Sequence, residues 1–244
     1  MRLEGAPNFR DLAGQPAYQG LHGRRLRTGR VFRSDHLGQL LPADLQQVQD
    51  RLGSAVRVLD LRGGREREAA PCAIPGAIVH SLAIEPTIVQ KLTDLLAAGH
   101  ALTAGDTVAL MQDTYRGFVR YNTPRFAQLL AHVLQEDPGP VVFHCTAGKD
   151  RTGFAAALLL RLLGVPHEVV LQDYLLTNER LQHRVPGSAL PAPIVHVLHR
   201  VQTEFLGAAF DALEQDHGSL DAYVRDGLML GPAELAQLRA KMLE

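Results

Sequence analysis

The stretch "VVFHCTAGKDRTGFAAALLLRLLG", residues 141 to 164, limits what this chain can fold into more than any other. A β-branched apolar run ending at Phe143 gives way to strong helix formers closed by Gly164, so a buried strand must hand over to a helix. Only five residues, "TAGKD", separate Cys145 from Arg151. A loop that short must curl, and Gly148 supplies the backbone freedom the turn needs. Its successive N–H groups can then converge on one anion at the helix N-terminus, where unpaired donors and the positive dipole end point to the same spot.

The same field acts on the thiol. A cysteine at a helix N-terminus beside cations ionises more readily than a free one, so Cys145 is expected to be a thiolate at neutral pH. Beneath a bound phosphoryl group it is positioned for in-line attack on phosphorus, giving a phosphocysteine that water then hydrolyses without a metal. Arg151 offers a planar fork for two phosphoryl oxygens, which a lysine's point charge matches less well. The phosphate-binding set is therefore Cys145, Thr146, Ala147, Gly148, Lys149, Asp150 and Arg151. Thr152 can donate its hydroxyl toward the sulfur and favour thiolate as the second leaving group, while His144 orients the loop by hydrogen bonding. Cys72 lies in no such motif and reads as a small structural hydrophobe.

Elsewhere the pattern alternates strand and helix. Pro42 stands at a helix start and Gly53 at its end, followed by the apolar run in "AVRVLDLR". Pro166 opens a second helix, "PHEVVLQDYLLTNERL", and "PAPIVHVLHRVQTEFLGAAFDALEQ" places Ile194, Val197, Leu198, Val201, Phe205 and Ala208 at the spacing of a third. The stretches at 97–106 and 183–193 read as irregular breaks. Strands separated by helices predict an α/β architecture with a largely parallel central sheet. The 244 residues suit one large domain, 1–244, with a core that needs no disulfide or metal staple.

Several function classes are disfavoured. With 25 basic and 26 acidic residues the chain lacks the charge of a duplex-binding protein, so no nucleic-acid partner is expected. The run "FAAALLL" is too short to span a bilayer and the N-terminus lacks a signal-like apolar stretch, so no integral membrane segment is expected. Two cysteines do not make a disulfide framework and suit a reducing compartment. The expected location is cytoplasmic, with leaderless secretion as the alternative. Eleven histidines form no HExxH or clustered Cys/His pattern, and His196 with His199 read as a surface face; no metal and no cofactor are expected. Oligomeric state leaves no signal in the sequence.

The segment "HCTAGKDRTG" resembles the HCxxGxxR[ST]G signature of the cysteine-based protein tyrosine phosphatases, and more narrowly the GKDR loop of an atypical bacterial group. The similarity extends through "NFRDLAG" at 8–14, "VFRSDHL" at 31–37, "VLDLRGGREREAAP" at 58–71, "QDYLLTN" at 172–178 and the C-terminal stretch from "HGSLDAYVRDG" onward. It implies a parallel-centred sheet flanked by helices, with a helical lid-like segment here at about 180–215. It also implies a phosphotyrosine protein or a phosphoinositide as substrate, with phosphoserine and phosphothreonine as further targets. Alternatives are a phosphoinositide phosphatase as the main activity, or a non-catalytic phosphate-binding module, which the intact Cys145 and Arg151 disfavour. Sulfur or arsenic chemistry is disfavoured by the HC and RTG borders of the loop.

The leaving group needs a proton, and a well-placed general acid contributes about 10²- to 10⁴-fold. Asp150 is the candidate the resemblance implies; Asp60 ends a strand expected beside the catalytic one; Glu85 stands roughly where relatives carry a mobile-loop aspartate. Asp60 with Arg62 reads equally as an ion pair bracing the loop, and Asp150 equally as a bracing acceptor. Lys149 adds a second cation that suits substrates with more than one phosphate, although Thr146 replaces a lysine common in inositide phosphatases of the GKGR type. Arg10, Asp11, Arg33 and Ser34 read as residues that cap and brace turns.

Overall fold

A computed structural model describes residues 2–86, 88–136, 139–181 and 190–244. The first strand, β1 (Arg10–Asp11), pairs antiparallel with β2 (Val31–Ser34), and β3 (Arg57–Asp60), β4 (Ile78–Ser81) and β5 (Val141–His144) complete one sheet. Its order is β1-β2-β5-β3-β4, and all pairs other than β1 with β2 are parallel. Helices connect the parallel strands: α1 (Pro42–Leu52), α2 (Gly64–Ala69), α3 (Ile88–Ala97) and α4 (Ala104–Leu134). After β5 come α5 (Arg151–Leu162), α6 (His167–Leu181), α7 (Ala192–Leu198), α8 (Thr203–His217) and a C-terminal helix, Pro232–Met242.

Parallel strands covered on both faces are apolar throughout. Val141 and Phe143 of β5 join the larger core, with Phe118, Phe126, Phe154 and Phe205, whereas Val142 turns to a smaller core with Phe9, Phe32, Val48 and Val58. The Phe126 and Phe154 rings lie edge to face at 4.8 Å, fixing α4 against α5. In register, Ser34, His144 and Asp60 stand side by side, so the turns after β2, β5 and β3 open at one end of the sheet. Ligands of parallel sheets bind at that carboxyl end.

Two segments depart from the sequence reading. The irregular stretch at 97–106 ends at Thr103, because its hydroxyl accepts from Asp106 N and its N–H donates to Asp106 Oδ2 at 2.9 Å, starting the 31-residue α4. The third expected helix is two: Asn178 Nδ2 donates to Val201 O at 2.9 Å and its Oδ1 accepts from Val201 N at 2.8 Å. Asn178 thus takes up both backbone groups of Val201 between α7 and α8, although Ile194, Val197, Val201, Phe205 and Ala208 are all buried. Of the 183–193 break and the lid-like segment, residues 182–189 lie outside the described residues; Ala192 and Pro193 already belong to α7.

Candidate active site

The loop between β5 and α5 is shaped from behind. Thr146 O accepts from His36 N at 3.0 Å, Ala147 O from Asn8 Nδ2 at 3.0 Å, and Gly148 O from Asn8 Nδ2 at 2.9 Å and Arg33 Nη2 at 3.0 Å. With three consecutive carbonyls held on that side, the N–H groups are left for the other. Among the described residues no hydrogen bond uses the N–H groups of Thr146 to Asp150. Gly148 has φ +63°, and a Cβ there would lie 2.3 Å from Ser34 O, so backbone angle and close approach both require glycine.

The donors behind the loop are themselves fixed. Asp173 of α6 holds Arg33 Nη1 at 2.6 Å and Arg10 Nε at 3.2 Å, and its backbone carbonyl accepts from Arg10 Nη2 at 2.9 Å. Arg10 Nη1 also donates to both the carbonyl and the side-chain oxygen of Asn8. Burial, aided by Arg10, pushes Arg33 down to about 10 against the pull of Asp173. For Asp173 burial acts upward, but the two arginines outweigh it and hold the carboxyl below its ordinary range. Asp11 accepts from Ala13 N at 3.0 Å and Gly29 N at 2.6 Å, and Ser34 lies 3.4 Å from Asp35 Oδ1.

In front of the loop lie the candidate reactive groups. Cys145 is 3% exposed, and the Thr152 hydroxyl is buried with no hydrogen-bond partner among the described residues. Arg151 makes a two-pronged contact with Glu66, Nη1 to Oε2 at 2.7 Å and Nη2 to Oε1 at 2.9 Å, and Nη1 also donates to Ile84 O at 3.0 Å. None of these bonds uses Nε. Glu66 accepts in addition from the Thr146 hydroxyl and from Gly63 N. Burial would raise the Glu66 carboxyl, yet hydrogen bonds and charge from Arg151 bring it down to about 2. On Arg151 burial acts downward, and Glu66 and Cys145 overcome it to hold the guanidinium above its ordinary value.

Sequence reasoning missed Glu66. The available signal was an acidic residue at the third helical position after a Gly-Gly turn, which fits a capping arrangement, but nothing local ties it to Arg151, 85 residues away.

The three acid candidates have different partners. Asp60 is 1% exposed and clamped by Arg62, with Oδ1 2.9 Å from Nε and Oδ2 2.6 Å from Nη2. Burial acts upward on Asp60 but the Arg62 hydrogen bonds prevail and lower it. His144, next to Cys145, donates from Nδ1 to Cys145 O at 3.1 Å and lies 3.5 Å from Asp60. Burial drives His144 down to about 4 despite Asp60, so its ring is neutral. Glu85 is exposed and accepts from Gly64 N at 3.2 Å. Asp150 stands on the loop itself, partly exposed, with Oδ1 accepting from Tyr115 at 2.9 Å and Oδ2 3.3 Å from Lys149 Nζ. Lys149 also donates to Leu198 O at the end of α7.

A cavity of about 600 Å³ lined by Ile84, Glu85, Lys91, Phe118, Tyr121 and Arg125 adjoins the segment after β4 whose Ile84 carbonyl accepts from Arg151. Among the described residues no group of three or more His, Cys, Asp or Glu could hold a metal ion, and no helix is long and apolar enough to cross a membrane.

The model of a family described as the tyrosine phosphatase family matches residues 1–244. A protein of Cupriavidus necator that carries the name tyrosine-protein phosphatase is 34% identical over 97% of this chain and 85% of its own length. The triple specificity protein phosphatase PtpB of Mycobacterium tuberculosis is 31% identical over 92% of each chain. A tyrosine-protein phosphatase of Nostoc commune is 30% identical over 53% of this chain and 48% of its own.

Proposed function

Because this chain belongs to the tyrosine phosphatase family, we propose that it hydrolyses phosphotyrosine through a phosphocysteine on Cys145, and that its specificity extends to phosphoserine, phosphothreonine and phosphoinositides. The observation that carries this reading is the capture of three consecutive loop carbonyls from behind, which leaves the amides of residues 146–150 around a buried thiol. Such a cradle stabilises phosphoryl oxygens without a metal.

In the first step the Cys145 sulfur attacks phosphorus, the P–O bond to the leaving group breaks, and Asp150 gives that oxygen its proton. In the second, water attacks phosphorus, the S–P bond breaks, and the water proton passes to Asp150. The Arg151 fork grips two phosphoryl oxygens through its Nε–Nη2 edge while Glu66 holds the adjoining Nη1–Nη2 end in place. Thr152 supplies a hydroxyl to the departing sulfur. The clamps on Asp60 by Arg62 and on Glu85 by α2 favour Asp150 as the acid.

The wider specificity is supported by the name of the mycobacterial relative, which acts as a triple specificity phosphatase. Lys149 would serve a second phosphate, as in an inositide headgroup, by exchanging its contact with Leu198 O at the end of the lid-like α7. Free thiols at Cys72 and Cys145 favour work in a reducing, cytoplasmic compartment.

The test is hydrolysis of three substrates, a phosphotyrosine peptide, a phosphoserine peptide and phosphoinositide vesicles, by wild type and Cys145→Ser. All three are expected to release phosphate with wild type, phosphotyrosine fastest, and none with Cys145→Ser. A wild type inactive on all three would overturn the phosphatase reading; activity on phosphotyrosine alone would overturn the wider specificity.

A further inference from the structure

Asp150 is reached from a direction that the chemistry above does not use. Tyr115, in the middle of α4, donates its hydroxyl to Asp150 Oδ1 at 2.9 Å, and the Tyr174 hydroxyl of α6 lies 2.6 Å from the Tyr115 oxygen. Because Tyr115 directs its proton at the carboxylate, Tyr174 must be the donor in the second bond. The rings are 0% and 1% exposed and meet edge to face, with centroids 6.4 Å apart. Tyr174 is also seated against the signature loop's helix: a Cβ on Gly153 would lie 2.9 Å from its Cε2. Burial first, and then the Asp150 charge, push both phenols well above their ordinary value, so both remain protonated donors over the working pH range.

Other charged groups among the described residues surround this chain of bonds. Lys149 Nζ stands 3.3 Å from Asp150 Oδ2, Arg151 feels the Asp150 charge from the next position, and Arg33 and Glu204 act on Tyr174. With Oδ1 already an acceptor, Oδ2 is the oxygen left to carry the transferable proton.

We propose that Tyr115, backed by Tyr174, is a positioning residue for proton transfer: it fixes Asp150 and favours the carboxylate that the second step needs as a base. This rests on Asp150 as the general acid. A hydrogen bond to a charged group is among the stronger ones, and cooperative bonding from Tyr174 strengthens the Tyr115 donor. Losing it makes the carboxylate less favoured, so the proton is held to higher pH.

The experiment is the pH–rate profile of kcat/KM for phosphotyrosine, a substrate whose leaving oxygen needs a proton. Tyr115→Phe is expected to move the alkaline limb upward by about one pH unit, and Tyr174→Phe to move it the same way by less. Asp150→Asn should remove the limb, and Tyr115→Phe added to Asp150→Asn should leave the profile of that variant unchanged. An alkaline limb unmoved in both cooperatively melting tyrosine variants, while Asp150→Asn removes it, overturns the inference alone. A limb that survives in Asp150→Asn overturns the assignment of the acid, and the role of Tyr115 with it.

Discussion

The two sides of the 145–151 loop are held by opposite means. Behind it, Asn8, Arg10, Arg33 and Asp173 are all buried, and the bonds join groups that water does not reach. In front, the cations Arg151 and Lys149 meet partly exposed carboxylates, Glu66 and Asp150. A buried charge cannot give up its partner without a large penalty, so the rear network fixes the backbone permanently. The front pairs have alternatives close by, because phosphoryl oxygens can take over the same donors. The loop is thus a rigid cradle with an exchangeable rim, and substitutions on the two sides should fail in different ways.

The largest effect is expected from Asp173→Ala. Leaving Arg10 and Arg33 buried without their carboxylate should cost about 3–5 kcal/mol in denaturant unfolding. A loss below about 1 kcal/mol would mean that the rear is no more rigid than the front.

Glu66→Gln should behave in the contrary manner. It should lose less stability than Asp173→Ala, because the pair is less deeply buried than the one behind the loop. Arg151 loses the charge that aims it, and kcat/KM should fall by about 10²-fold. A variant that melts early yet retains full activity would place Glu66 among the structural braces instead.

The smallest effect is on acid stability, and it separates two groups by pH. His144 has a folded value of about 4, below its ordinary 6.5, so protonation favours the unfolded chain and stability falls as pH drops from 6.5 to about 4. Glu66 is depressed from 4.5 to about 2, so its contribution is present above 4.5 and disappears as pH falls through about 2. Melting temperature against pH should therefore decline in two overlapping stages, and Glu66→Gln should weaken only the lower one, to which Asp60 and Asp173 also contribute. A melting temperature constant from pH 7 to pH 4 would contradict a neutral, buried His144.

What the sequence made legible follows this division. Cys145, Gly148 and Arg151 stand within one short stretch, so the chemistry proposed for them rests on spacing, and the apolar run at Val141–Phe143 announced a buried parallel strand. The strand ending at Asp60 was expected beside the catalytic one and lies there as β3, but the place of β2 on the other side of β5 could not be read, because strand order depends on how the connecting helices pack. Glu66 and Tyr115 reach the loop from 85 and 35 residues away, and no local pattern marks a carboxylate or a phenol as belonging to a distant arginine or aspartate. The break between α7 and α8 was hidden for the same reason: periodic burial continues through it, and the cause is one side chain, Asn178, on another helix.

Phosphoryl transfer to Cys145 is tested most directly by rapid acid quench of the enzyme during turnover of an aryl phosphate, followed by peptide mapping by mass spectrometry. One phosphoryl group should appear on the peptide containing Cys145, with no turnover in Cys145→Ala. A phosphoryl group on any other residue, or wild-type turnover in Cys145→Ala, would contradict the mechanism.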